Sequence, residues 1–154
     1  MDLTPILQAV PPAAVVGAVA LWRSYRVDRR STLLKLTEQL IDPKMQEGRR
    51  LLHAHAEQGD EWWLPTAEGE LGHGDADKIN AALSLFDIAG WYVERGYIDK
   101  KSLLELWARP VVRCWDRAQP YVQMRRERED WRGWAKFEAL AREARLYIAR
   151  SAKS

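Results

Sequence analysis

The sequence predicts an all-α protein, with an N-terminal transmembrane helix followed by a small helical bundle. Apolar residues recur at spacings of three, four and seven along most of the chain, and no segment alternates as a strand between hairpin turns. The window from Ala9 to Trp22 contains no charged or polar side chain. We divide the 154 residues into an anchor with its basic flank (1–30), a helical bundle domain (31–150) and a tail (151–154).

The anchor prediction rests on length and on flanking charge. Leu3 to Trp22 spans about 30 Å as a helix, which matches the hydrocarbon core of a bilayer. Positive charge directly after an apolar segment favours a cytoplasmic location for the C-terminal part of the chain. We therefore predict a single-pass protein of the inner (cytoplasmic) membrane with its C-terminal domain in the cytoplasm. The basic flank consists of Arg23, Arg26, Arg29 and Arg30.

Two alternatives to an anchor stay open. Ala18-Val19-Ala20 resembles a signal-peptide cleavage site, although the first five residues carry an aspartate and no basic residue. The other alternative is a soluble helix buried in a helical core. Pro11-Pro12 interrupts the hydrogen-bond ladder of either helix, and membrane helices tolerate such breaks when other groups satisfy the freed carbonyls.

Two helices are predicted before the central loop. Ser31 or Thr32 can cap the first, which runs through Leu40. Asp42 and Pro43 are typical of an N-cap and a first helical residue, so they begin the second, which ends near position 59. A glycine-containing loop from 59 to 74 separates these two helices from the rest of the bundle.

The strongest helical pattern begins after this loop. Asp75 or Asp77 opens the helix, and Gly96 fits the left-handed position that ends one. The apolar stripe predicted to face the core comprises Ile79, Ala82, Leu83, Phe86, Ala89, Gly90 and Val93.

Three further helices are predicted in the last third of the chain. Asp99 caps a short one, Pro110 starts another, and Pro120 kinks or restarts that second helix because proline lacks an amide hydrogen. The last runs from about Asp130 to Arg150. The predicted buried positions are Leu103, Leu104, Trp107, Val111, Cys114, Trp115, Ala118, Trp134, Phe137, Leu140, Ala141, Ala144 and Ile148.

Charge is segregated along the chain. Residues 31–90 contain 5 Lys+Arg and 11 Asp+Glu (net −6), and residues 91–154 contain 15 and 9 (net +6). An acidic and a basic half can pair within the fold or across a homo-oligomer, or the basic half can meet phosphates or anionic lipid. The single cysteine excludes an intrachain disulfide, as expected for a reducing cytoplasm.

A set of motifs between positions 80 and 145 is similar to a known family. With Asp42-Pro43 and Gly48-Arg49-Arg50 upstream, the chain resembles the bacterial family filed as domain of unknown function 4760, over roughly residues 20 to 148. The resemblance implies an N-terminal anchor before a helical domain, and no assigned activity. The motifs are Leu83-Ser84-Leu85-Phe86-Asp87, Val93-Glu94-Arg95-Gly96-Tyr97-Ile98-Asp99, Leu104-Glu105-Leu106-Trp107, Val112-Arg113-Cys114-Trp115, Pro120-Tyr121 and Phe137-Glu138-Ala139-Leu140-Ala141. Within them we take Phe86, Gly96, Asp99, Trp107, Trp115, Pro120 and Phe137 as a structural signature.

Candidate catalytic groups are few. His53 and His55 diverge on a helix, so solvated histidines are a better interpretation than a metal pair. Cys114 has arginine neighbours that can lower a thiol pKa, but a core cysteine is commoner. Asp87, Glu94 and Asp116 could face one another, or form ion pairs with Arg95, Arg113 or Arg117. We predict no catalytic residue, cofactor or metal.

Binding surfaces are the better hypothesis. Tyr121, Arg125, Arg126 and Arg128 follow Pro120, and we expect them to be exposed. Together with the four arginines of the anchor flank they form a predicted partner or lipid surface. The turn from Glu94 to Asp99 resembles a helix-turn-helix, but Glu105 would repel DNA phosphates.

The predicted function is a single-pass, membrane-anchored helical interaction or scaffold protein without catalysis, with a protein partner or a second copy of itself. The alternatives are a nucleic-acid-binding protein that uses the basic C-terminal half, or an enzyme of unfamiliar type.

Overall fold

A computed structural model describes residues 28–58, 73–129 and 132–153. The backbone over these ranges is helical, without strands, as predicted. Helix α1 covers 28–41, and the other helices are α2 (Pro43–Gln58), α3 (His73–Glu94), α4 (Lys100–Glu129) and α5 (Ala135–Ser151). The predicted anchor, Arg23, Arg26 and the loop residues 59–72 lie outside the described residues. Within the described ranges, no helix has both the length and the apolarity needed to cross a membrane.

The boundary between α1 and α2 confirms one predicted cap and corrects another. The Asp42 carboxylate accepts a hydrogen bond from the Lys44 amide (2.8 Å), and Pro43 is the first residue of α2. Ser31 and Thr32 do not cap α1. Their hydroxyls donate to the backbone carbonyl of Asp28 at 3.3 and 2.8 Å, and Asp28 is itself already helical.

Helix α4 is one continuous helix of 30 residues, with Pro110 and Pro120 inside it. The prediction that Pro110 begins a separate helix is therefore wrong, and of the two predicted effects of Pro120 the restart is wrong while the kink stays a prediction. A proline inside a helix costs about 3 kcal/mol, and each large apolar side chain that is fully buried contributes about 1.5–3 kcal/mol. Buried residues on both sides of each proline outweigh this cost: Leu103, Leu104, Ala108, Val111, Cys114, Trp115, Ala118, Tyr121 and Val122.

Helix α5 begins at Ala135, later than predicted, and its first turn is capped by another helix. Trp134 takes the N-cap position in a left-handed conformation (φ 55°) without a side-chain cap of its own. The Phe137 amide instead donates to the carboxylate of Asp87 on α3, at 2.8 Å. This bond fixes where α5 starts relative to α3.

The core lies along α3. This helix packs against α2 and α5, while α4 packs against α5 and also contacts α2 and α3. Phe137 stacks on Phe86 (5.0 Å between ring centroids) and meets Trp115 edge-on at 5.1 Å. A Cβ at Gly48 would overlap the carbonyl oxygen of Lys78, so this glycine lets α2 lie directly on α3.

The predicted apolar stripe of α3 and the two helix boundaries after it are confirmed. Every predicted stripe residue of α3 is buried except Val93, which is partly buried. Gly96 has a φ of 72°, as predicted for a residue that ends a helix. Asp99 caps α4 by accepting the Ser102 amide (2.8 Å), and this hydrogen bond lowers the pKa of the Asp99 carboxyl.

Candidate functional site

Three of the four residues of the predicted surface beyond Pro120, Tyr121, Arg125 and Arg126, take part in the packing between helices, and the side chain of the fourth, Arg128, lies outside the described part of the structure. Tyr121 is buried, with 4 % of its surface exposed, so the prediction of an exposed tyrosine is wrong. Its hydroxyl donates to Asn80 (2.8 Å) and accepts from Arg125 (3.0 Å). Arg126 pairs with Glu138 at 2.8 Å. Arg125 lies over the Tyr121 and Trp134 rings, and Arg126 forms its ion pair with a residue of α5. The tyrosine and the two arginines therefore have a structural role.

The three carboxylates that the sequence grouped together are separate. Asp87 caps α5, Glu94 pairs with Lys136 (2.7 Å), and Asp116 pairs with Arg145. None of them is paired with the arginines that we predicted as partners. Each is assigned to a contact between helices rather than to a shared acidic site.

The two lysines that follow the helix-turn-helix-like turn, at the start of α4, also have carboxylate partners. Lys100 pairs with Glu143 at 2.8 Å, and Lys101 lies 3.8 Å from Glu105. Like the pairs of Arg126, Lys136 and Arg145, these join residues within the basic half of the chain. The acidic half therefore does not neutralise these cations within the fold, and pairing of the two halves across a homo-oligomer stays a prediction.

A basic cavity lies between α2 and α4, and we call it the arginine cleft. Its volume is about 450 Å³. In both helices the lining residues form two adjacent pairs or turns separated by three or four positions, so each set lies on one helix face. The cleft is lined by Gln46, Arg49, Arg50 and His53 of α2 and by Arg109, Pro110, Arg113 and Cys114 of α4.

Arg49 connects the cleft to the core. Its guanidinium carbon lies 6.0 Å from the centroid of the Phe86 ring and 5.9 Å from that of Trp107, which is the geometry of a cation–π contact. Its Nη1 atom is buried and has no hydrogen-bond partner within the described part of the chain. Burial lowers the pKa of Arg49 below its ordinary value, but a guanidinium stays protonated at physiological pH.

His53 and Cys114 meet inside the cleft. The thiol sulfur lies 3.9 Å from His53 Nε2. Burial raises the pKa of Cys114 to about 12, so the thiol is protonated and unreactive at neutral pH. Burial, and then the charges of Arg113 and Arg117, lower the pKa of His53 below 6.5, so the imidazole is neutral. The pair therefore offers neutral hydrogen-bonding groups rather than a nucleophile and a base.

The cleft contains more positive than negative charge. Arg50 pairs with Glu47 (3.2 Å), and Glu57 lies close enough to His53 to affect its pKa. In the portions of the chain that the structure describes, Arg49, Arg109 and Arg113 form no ion pair, nor does Arg117 one turn further along α4. Three exposed arginines of α4 thus have no carboxylate partner among the described residues, and two of them, Arg109 and Arg113, line the cleft together with Arg49 of α2.

Sequence reasoning missed this site because its residues are about 60 positions apart. The signal was present in part: Arg109, Arg113 and Arg117 are spaced by four and therefore lie along one helix face. Nothing in the sequence alone showed that the Arg49 face of α2 packs opposite them.

The two histidines diverge, as predicted. His53 contacts α4, whereas Nε2 of His55 lies 3.9 Å from Asp75 on α3. Over residues 28–58, 73–129 and 132–153, no group of three or more His, Cys, Asp or Glu side chains is arranged to hold a metal ion.

The comparison with models of protein families assigns this chain to a family. The model of the family described as Domain of unknown function (DUF4760) matches residues 12–144. The chain therefore belongs to this family, in agreement with the resemblance seen in its motifs. Neither the curated proteins nor the solved structures include a match to the chain.

Proposed function

We propose that this member of the DUF4760 family is a membrane-tethered helical binding protein that performs no catalysis and whose binding surface is the arginine cleft. The observation that carries the proposal is that Arg49, Arg109 and Arg113 line one cavity and form no ion pair with any residue that the structure describes. Cations left without counter-ions repel one another, which destabilises the folded domain. Their retention at one cavity is typical of a site that binds a negatively charged partner.

The chemistry of the lining favours binding over catalysis. Arginine donates hydrogen bonds but does not accept or release protons at physiological pH. The one nucleophile in the lining, the Cys114 thiol, is buried and protonated. His53 is neutral and lies beside this thiol, so it offers recognition by hydrogen bonds.

The membrane tether is supported by the sequence. The uncharged window from Ala9 to Trp22 and the four arginines after it favour one crossing with residues from Arg23 onward in the cytoplasm. The arginine cleft would then be presented to cytoplasmic ligands or to the inner leaflet.

Membrane fractionation of the full chain tests the tether. We expect the protein to sediment with membranes and to be released by detergent alone, and an external protease should spare residues from Trp62 onward. The double substitution Val15→Arg and Val19→Arg should move the protein to the soluble fraction, because two charges at the centre of the apolar window oppose insertion. The control Leu34→Arg adds a charge to an exposed position of α1 and should change nothing. Release of the natural sequence by carbonate or high salt would contradict the tether.

Site-specific crosslinking in native membranes tests the binding surface. A photo-crosslinking amino acid at Gln46, in the cleft, should form adducts that disappear when Arg113→Ala is added. The same amino acid at Arg150, an exposed position on α5, is the control and should give no adduct that depends on Arg113. Identical adducts with and without Arg113→Ala would show that the cleft is not the binding surface.

A further inference from the structure

We infer that the arginine cleft binds the terminal phosphate of a phosphate monoester. This inference rests on the proposed function, because it assigns a chemical class to the ligand of the same cleft. The relevant chemistry is shared by phosphorylated metabolites and by a lipid whose headgroup is a bare phosphate. Three properties of the cleft indicate this class: its uncompensated charge, its size and the carboxylates that border it.

The charge of the cleft matches a dianion. Arg49, Arg109 and Arg113 line it without forming ion pairs among the described residues, and Arg50 is partly neutralised by Glu47. A phosphate monoester carries nearly two negative charges at pH 7 and three acceptor oxygens, whereas a carboxylate or a sulfate ester carries one charge. Arginine binds such oxygens in pairs through its planar fork of donors. More than two guanidinium groups therefore suit a phosphate monoester better than a singly charged group.

The size of the cleft indicates a phosphate attached to a small organic group. At about 450 Å³ it lies within the range of about 300–1,000 Å³ that is typical of small-molecule sites. Pro110 contributes apolar surface, and Gln46 and neutral His53 contribute uncharged hydrogen-bonding groups. These residues can contact the part of the ligand beyond its phosphate.

The borders of the cleft oppose an extended polyanion. Glu105 lies one turn before Arg109 on α4 and is exposed, and Glu57 lies one turn beyond His53 on α2. A nucleic-acid backbone that ran along the arginines of α4 would bring further phosphates close to these carboxylates, and like charges would repel. A single terminal phosphate avoids both of them.

Binding of two isosteric probes to the full chain in mild detergent tests the inference. Phenyl phosphate and phenyl sulfate have nearly the same shape but differ by about one charge at pH 7.5. We expect phenyl phosphate to bind at least about tenfold more tightly by calorimetry, as the loss of one charge-assisted interaction implies. Arg113→Ala and Arg109→Ala should each weaken phenyl phosphate binding by about tenfold or more. Arg150→Ala, at an exposed position on α5, should leave it unchanged.

The two sources of the phosphate are separated by competition. Dihexanoyl phosphatidic acid presents a phosphate monoester, and dihexanoyl phosphatidylglycerol presents a diester with a single charge. Displacement of phenyl phosphate by the first lipid at lower concentration than by the second assigns the ligand to the membrane. Failure of both lipids to displace it assigns the ligand to soluble phosphorylated compounds.

Several results would overturn the inference. One is that phenyl phosphate and phenyl sulfate bind with equal affinity. Another is that Arg113→Ala, with an unaltered melting temperature, binds phenyl phosphate as tightly as the natural protein does. Preferential binding of duplex DNA with a steep salt dependence would also replace it. If neither probe binds but crosslinking at Gln46 still depends on Arg113, the ligand class is wrong and the binding surface stands. If neither probe binds and the adduct at Gln46 does not depend on Arg113 either, the proposed function is contradicted as well.

Discussion

Helix α4 carries two groups of arginines that the fold treats in opposite ways. Near its C-terminal end, Arg125 donates to the Tyr121 hydroxyl and lies over the rings of Tyr121 and Trp134. Arg126 pairs with Glu138 and donates to the carbonyl of Gly133 at 3.0 Å. In the arginine cleft, by contrast, Arg109 and Arg113 lie beside a cavity and form no ion pair with a described residue.

The difference teaches that the number of arginines does not identify a binding surface. Each arginine of the first group contacts partners on its own helix or at the start of α5, so its charge is used to hold that junction together. An arginine of the second group contributes little to folding, because its charge faces solvent and other cations. A binding role is therefore better sought where an arginine has no structural use.

The largest expected effect concerns the junction of the first group. Trp134→Ala removes a side chain that is 6 % exposed, packs on Tyr121 at 5.7 Å and supports Arg125. We expect a loss of roughly 3–5 kcal/mol in the free energy of unfolding, measured by denaturant titration. A loss below about 1 kcal/mol would mean that this junction is not cooperative with the rest of the domain.

The direct comparison is between one arginine of each group. Arg126→Ala loses the pair with Glu138 and two hydrogen bonds to Gly133, so stability should fall by about 1 kcal/mol. Arg113→Ala should stay within about 0.5 kcal/mol of the natural protein, and relief of repulsion can make it slightly more stable. Urea titrations of both variants measure the difference. Equal losses would show that the second group is structural too.

The smallest effect is the pH dependence due to His53. Because the folded state lowers the pKa of His53, the unfolded chain binds a proton first as the pH falls below about 6.5. This contribution to stability is complete above pH 6.5 and is lost as the pH falls toward the folded-state pKa. Between about pH 7.5 and pH 5.5, the melting temperature should therefore fall less in His53→Gln than in the natural protein. A larger fall in the variant would mean that folding raises the pKa of His53 instead of lowering it.

Local patterns in the sequence predicted much of this fold. Asp42-Pro43, Gly96 and Asp99 marked helix boundaries correctly, because caps and left-handed residues act within one turn of the chain. The apolar stripes identified the buried residues of α3 and of the middle of α4, since helical periodicity alone decides which side chains share a face. The family resemblance also depended on local motifs, and the family match confirmed it.

Tertiary structure decided what depends on residues that are distant in sequence. It kept α4 continuous through Pro110 and Pro120, because buried residues on both sides of each proline outweigh the broken hydrogen bonds. It started α5 where Asp87 of α3 can accept the Phe137 amide. It buried Tyr121, and it packed α2 against α4 so that the arginine cleft formed between them. A sequence fixes the face on which each charge lies, but whether that charge meets a carboxylate, a ring or a cavity depends on how the helices pack.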